Sequence, residues 1–131
     1  MSGVDDLLAG ARAELDRVEP AELDNRLRDG ALVIDIRPAS NREAEGEIPH
    51  SVVVERIHLE WRLDPFGDHK LPGLTDEADV VVVCNEGYAS SLAARDLKRL
   101  GLSRATDLVG GFRAWRAAGL PVREGGTPPV P

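Results

Sequence analysis

The chain has one cysteine and one methionine among its 131 residues. It also has no apolar run approaching the roughly 20 residues that a membrane span needs. Each scarcity excludes something. A single cysteine cannot build an internal disulfide framework or a cysteine-based structural zinc site, so a reducing cytoplasm is the expected location. Residues 1–15 lack the basic start and long apolar core of a signal peptide. Basic charge is short as well: 16 Lys and Arg stand against 23 Asp and Glu, a net charge of −7. Such a surface repels phosphate backbones and anionic lipid, so neither nucleic acid nor a membrane is an expected partner. An anionic substrate needs a local positive pocket set into that background.

What is present organises around Val80-Val81-Val82-Val83-Cys84 and the polar loop Asn85-Glu86-Gly87-Tyr88-Ala89-Ser90 that follows. A continuous β-branched run reads as a strand buried on both faces, as in a parallel sheet covered by helices. Leu92, Ala93, Leu97 and Leu100 then repeat at helical spacing up to a stop at Gly101. The cysteine therefore falls where a strand ends and a helix begins. Free backbone N–H groups and the helix dipole at such a junction stabilise a thiolate or a bound anion. From position alone, a buried and inert thiol is an equally good reading.

The rest of the chain alternates in the same way. Val4, Leu7, Leu8, Ala11 and Leu15 mark an amphipathic helix within residues 1–16. Residues 17–19 suit a small edge strand, and Pro20 opens a helix that Gly30 closes. Strands are expected at 31–36, 51–54, 80–84 and 104–109, with helices over 56–63 and 112–118 and a short helix or loop at 39–47. The Gly/Pro-rich residues 124–131 read as a disordered tail. The sum is one α/β domain over 17–123, a three-layer sandwich with a mainly parallel five-stranded sheet between helices.

In an open α/β sheet, ligands bind beyond the carboxyl ends of the strands. Asp35-Ile36-Arg37, Glu55-Arg56 and Cys84-Asn85-Glu86 all fall at such ends and can share one rim. His50, His58 and His69 have no metal-ligand spacing. Ser90 and Ser91 read as capping or loop-donor hydroxyls, because no base is placed by the sequence to activate them. Trp61 and Trp115 read as packing residues.

Asp35-Ile36-Arg37, Gly46-Glu47-Ile48-Pro49, the Cys84 loop and Gly110-Gly111-Phe112-Arg113-Ala114-Trp115 occur in the order found in rhodanese-like domains, which the chain resembles over residues 18–122. The resemblance implies a five-stranded parallel sheet flanked by helices. It implies a sulfurtransferase that carries sulfane sulfur as a persulfide on Cys84, with residues 85–90 supplying a cradle of backbone N–H groups. A small sulfur-containing donor and an external thiol acceptor are the implied partners, with no metal or organic cofactor. Asp35, Arg37 and Arg56 are the further candidates for substrate binding.

Two departures from the family pattern bear on activity. Many catalytic members have a cation late in the loop, where this chain reads Tyr88-Ala89-Ser90. Glu86 also places a carboxylate two residues from the cysteine, which opposes thiolate formation and a dianionic donor such as thiosulfate. Arg37 or Arg56 is positioned to neutralise it; alternatively Arg37 pairs with Glu43 or Glu45 and only braces the loop. A second functional reading is a catalytically silent binding or regulatory module. A third, a phosphatase or arsenate reductase on similar architecture, is opposed by the lack of arginine between Cys84 and Ser91.

Overall fold

Four short parallel strands carry the fold in the computed structural model, which describes residues 2–131. They are β1 (Leu32–Asp35), β2 (Val52–Val53), β3 (Val80–Val83) and β4 (Thr106–Asp107), in the spatial order β2-β1-β3-β4. Among the described residues, six α-helices surround them: α1 (Gly3–Ala13), α2 (Pro20–Arg28), α3 (Ala39–Glu45), α4 (Leu59–Leu63), α5 (Ala89–Arg99) and α6 (Gly111–Ala117). Parallel strands need crossovers, and those helices supply them.

The valine run is buried along its whole length because successive side chains enter two different layers. Val80 and Val82 pack with Ala93, Ala94 and Leu97 of α5 and Leu59 and Leu63 of α4. Val81 and Val83 face Leu23 of α2 and Phe112 and Trp115 of α6. Register places Asp35 beside Val83 and Asp107 beside Val82, so the ends of β1, β3 and β4 lie on one rim with Cys84. Helix α1 lies on α5, with Ala11 fully buried while Val4 and Leu7 stay about half exposed. Its N-terminus is capped by Ser2, whose hydroxyl accepts the Asp5 amide, and Met1 lies outside the described residues.

Two expectations change. The sheet has four strands, not five. Residues 17–19 contribute one bridge, Val18 to Leu108, with the Val18 amide on Asp107 O at 3.1 Å and the Val109 amide on Val18 O at 2.8 Å. Pro20 has no N–H and starts α2 at once, so the ladder cannot extend. The expected disordered tail, 124–131, is laid along the β2 edge instead. The Val130 amide donates to Val53 O at 2.9 Å. Thr127 gives Glu47 both its hydroxyl, at 2.6 Å, and its amide, at 3.3 Å. An open edge carbonyl and a buried carboxylate both need donors, and the tail provides them.

Candidate active site

Cys84 follows β3 directly and is buried, with 7% of the residue exposed. Sγ accepts hydrogen bonds from the amides of Gly87, at 3.2 Å, and Ser90, at 3.4 Å, and lies 3.2 Å from Ser90 Oγ. Tyr88, at the N-cap of α5, gives no side-chain cap, and the sulfur takes an amide that a cap would otherwise satisfy. The sulfur thus faces backbone N–H groups at the positive end of the α5 dipole.

The loop is pinned from two sides. On one, the Phe112 amide donates to Cys84 O at 2.9 Å and the Arg113 amide to Asn85 O at 3.2 Å. So close an approach of α6 requires Gly111: a Cβ there would sit 2.6 Å from Cys84 O, and its φ is +63°. On the other side, Gly87 O accepts from Arg12 Nη2 at 2.8 Å and Arg17 Nη2 at 3.2 Å, with Ser91 Oγ 3.1 Å away. Among the described residues, the amides of Glu86, Tyr88 and Ala89 donate to no protein acceptor.

Beneath the loop stands Asp107, fully buried at the end of β4. Its Oδ2 accepts the hydroxyls of Ser90 and Ser91, each at 2.7 Å, and Arg17 Nε donates to Oδ1 at 2.8 Å. Arg12 Nε reaches Ser91 Oγ at 3.2 Å. The two serines are thus donors to a carboxylate and not helix caps. Neither Arg12, Arg17 nor Asp107 stands out in the sequence, where each is one charged residue among many.

The rim differs from the expected arrangement. Glu86 is exposed and meets Arg113 of α6, which also holds Glu45 at 3.1 Å. The bond from Arg113 is the chief reason that the Glu45 carboxyl lies below its ordinary pKa. Arg56 is turned elsewhere, to Glu60 at 2.6 Å and Asp96 at 3.6 Å. Arg37 reaches none of Glu43, Glu45 or Glu86. It is buried, pairs with Asp35 at 2.7 Å, donates to Gly46 O at 2.7 Å, and lies over the Phe112 ring at 4.1 Å. Asp35 and Arg37 therefore form a buried brace between β1, the turn after α3 and α6. Of the candidates, the structure gathers residues 84–90 into one loop; Tyr88 is half exposed, and the buried Asn85 Oδ1 has no partner among the described residues. His58 meets Trp61 edge-on and His69 meets it at a tilt, with centroids 5.8 and 4.9 Å away.

The family model for the rhodanese-like domain matches residues 19–118. A sulfurtransferase of Allochromatium vinosum is 29% identical over 110 residues, covering 82% of this chain and 94% of the relative. The thiosulfate sulfurtransferase GlpE of Pseudomonas savastanoi is 32% identical over 108 residues, covering 79% and 90%. Among solved structures, a Rhodopseudomonas palustris protein described as of unknown function and a possible tyrosine phosphatase superposes with a TM-score of 0.84. It is 29% identical, with 94% of this chain and 96% of that one covered.

Proposed function

The chain belongs to the rhodanese-like domain family, and on that premise we propose that it transfers sulfane sulfur through a persulfide on Cys84. The Cys84 thiolate attacks the outer sulfur of a donor such as thiosulfate. A Cys84 S–S bond forms as the donor's S–S bond breaks, and sulfite leaves with the electron pair. The thiolate of an external acceptor then attacks the outer sulfur of the persulfide, takes it, and releases Cys84 as thiolate. The cycle needs no oxidant, reductant, metal or organic cofactor. The acceptor comes from outside because Cys84 is the chain's single cysteine.

The observation that carries this reading is the pair of amides, Gly87 and Ser90, already bonded to Sγ at the start of α5. Asn85, Glu86, Gly87, Tyr88, Ala89 and Ser90 form the cradle, and the open amides of Glu86, Tyr88 and Ala89 are available to the outer sulfur. Asp35 and Arg37 serve this site by bracing it, and Arg56 lies outside it. Glu86 does not silence the loop, because its carboxylate is exposed to water and paired with Arg113.

Mass spectrometry tests the reading. Incubation with thiosulfate, glutathione persulfide or polysulfide is expected to add one sulfur atom to the chain, and Cys84→Ser to abolish the adduct. No adduct with any of the three donors would refute sulfur transfer and leave a silent binding module.

A further inference from the structure

We propose that Arg12 of α1 is the cation of this sulfur loop and that, with Arg17, it positions the Gly87–Tyr88 peptide so that its N–H faces Cys84. The proposal rests on the sulfur-transfer reading and adds to it a charge from outside both the loop and the family-matched residues 19–118.

The loop itself holds no Lys or Arg between Cys84 and Ser91. Two guanidiniums nevertheless reach it from residues 70 and 75 positions away in sequence, and both donate to the same carbonyl, Gly87 O. Ser91 Oγ lies 3.1 Å from the same oxygen and gives its hydrogen to Asp107 Oδ2 at 2.7 Å. A trans peptide is planar, with C=O and N–H pointing in opposite directions. With two guanidiniums on the Gly87 carbonyl, the Tyr88 N–H at the other end of the same peptide points away from them. Gly87 N and Ser90 N already donate to Sγ, and the Tyr88 N–H between them in sequence has no protein acceptor among the described residues. Gly87 permits the peptide to lie this way: its φ is +85°, and a Cβ would stand 3.0 Å from Gly110 N and 3.1 Å from Arg17 Nη2.

The charges divide the work. Arg17 is bonded to the buried Asp107 carboxylate through Nε and Nη2, so the two charges offset each other. Arg12 has no carboxylate partner among the described residues; its two bonds go to a carbonyl and a hydroxyl. Half-buried under the loop, it leaves a positive charge with no carboxylate partner against the Gly87 carbonyl. A cation at the carbonyl end of a peptide polarises it and strengthens the N–H at its other end as a donor to an anion.

The test uses the full chain with Arg12→Gln and Arg12→Lys, each checked for folding by near-ultraviolet circular dichroism. The first measurement is the pH–rate profile of Cys84 alkylation by iodoacetamide, which needs no sulfur donor. Arg12→Gln is expected to move the profile to higher pH and slow alkylation at pH 7 roughly tenfold. Arg12→Lys, which keeps the charge, is expected to stay within about twofold of the unaltered chain. The second measurement is persulfide formation from thiosulfate. There Arg12→Lys is expected to be slower than the unaltered chain, because one ammonium cannot reproduce the fork to Gly87 O and Ser91 Oγ. A folded Arg12→Gln protein matching the unaltered chain in both measurements would show that Arg12 merely ties α1 to α5. If Arg12→Gln does not fold, Arg12→Lys decides: alkylation slowed fivefold or more despite the retained charge overturns the proposal. Failure of the unaltered chain to take up sulfur would refute sulfur transfer, while the alkylation profile still judges Arg12.

Discussion

The Glu86 carboxylate is held by the Arg113 guanidinium, across 27 residues of sequence and at the open face of the Cys84 loop. Arg113 also binds Glu45, so one cation serves two carboxylates and this part of the rim keeps a net negative charge. A dianionic donor approaching this loop would meet that charge.

Removing it should help such a donor. Glu86→Gln is expected to raise kcat/KM for thiosulfate about three- to fivefold, the range open to an exposed charge, and Arg113→Gln to lower it similarly. Both effects should shrink in high salt. Steady-state kinetics in low and high salt check this, and an unchanged Glu86→Gln would mean that donors do not pass this rim.

A second carboxylate governs the tail. Burial pushes the Glu47 pKa up, but bonds from Thr127, Arg42 and Arg123 outweigh it and bring the value down to about 2, against an ordinary 4.5. A folded-state pKa below the unfolded one means stability that is fully present above pH 4.5 and is lost as pH falls from there through about 2. The shift corresponds to roughly 3 kcal/mol. Glu47→Gln should therefore be clearly less stable than the unaltered chain at pH 7, with the gap closing toward pH 2. Thermal unfolding across that range measures it, and a gap independent of pH would count against the ionic clamp.

Deleting residues 124–131 removes Thr127 from Glu47 and Val130 from the β2 edge. The loss of these bonds, each worth about 1 kcal/mol, should lower the denaturant midpoint. Cys84 alkylation at pH 7 should be unaffected, because the tail bonds β2 and the turn after α3. An unchanged midpoint would show that the tail does not hold this edge.

Gly111 is where α6 presses closest on the Cys84 loop. Gly111→Ala would drive a Cβ to 2.6 Å from both Asn85 C and Cys84 O at a φ of +63°. A cost of about 2 to 4 kcal/mol is expected, with loss of sulfur loading. Gly30→Ala, also at positive φ but with open space around it, is the comparison and should cost only about 1 kcal/mol. Chemical denaturation of both variants gives the contrast.

His50 turns the chain into β2 at a φ of +70°, alone among the described non-glycine residues in that region. The side chain is exposed. His50→Gly is expected to stabilise the protein by up to about 1 kcal/mol, raising Tm by a few degrees. Calorimetry showing a lower Tm would mean that the His50 side chain stabilises the turn.

Much of this molecule is written in local pattern. The valine run, the cysteine at its end, the loop glycine and the next helical repeat specify strand, turn and helix through nearest neighbours, and those neighbours are adjacent in the chain. The Gly110-Gly111 pair is likewise visible, and its purpose follows once α6 meets the Cys84 loop. The fifth strand failed as a ladder because Pro20, also visible in the sequence, leaves residues 17–19 no room to extend.

The charges were decided by tertiary structure alone. Arg113, and not Arg37 or Arg56, meets Glu86; Arg12 and Arg17 reach Gly87; Thr127 returns to Glu47. An arginine on a helix has one sequence signature whether it faces water or a loop 75 residues away. Long flexible side chains acquire partners only when packing brings distant backbones together. The sequence determined where a reactive sulfur could sit, through local backbone geometry. Which charges surround that sulfur depends on contacts that no local pattern encodes.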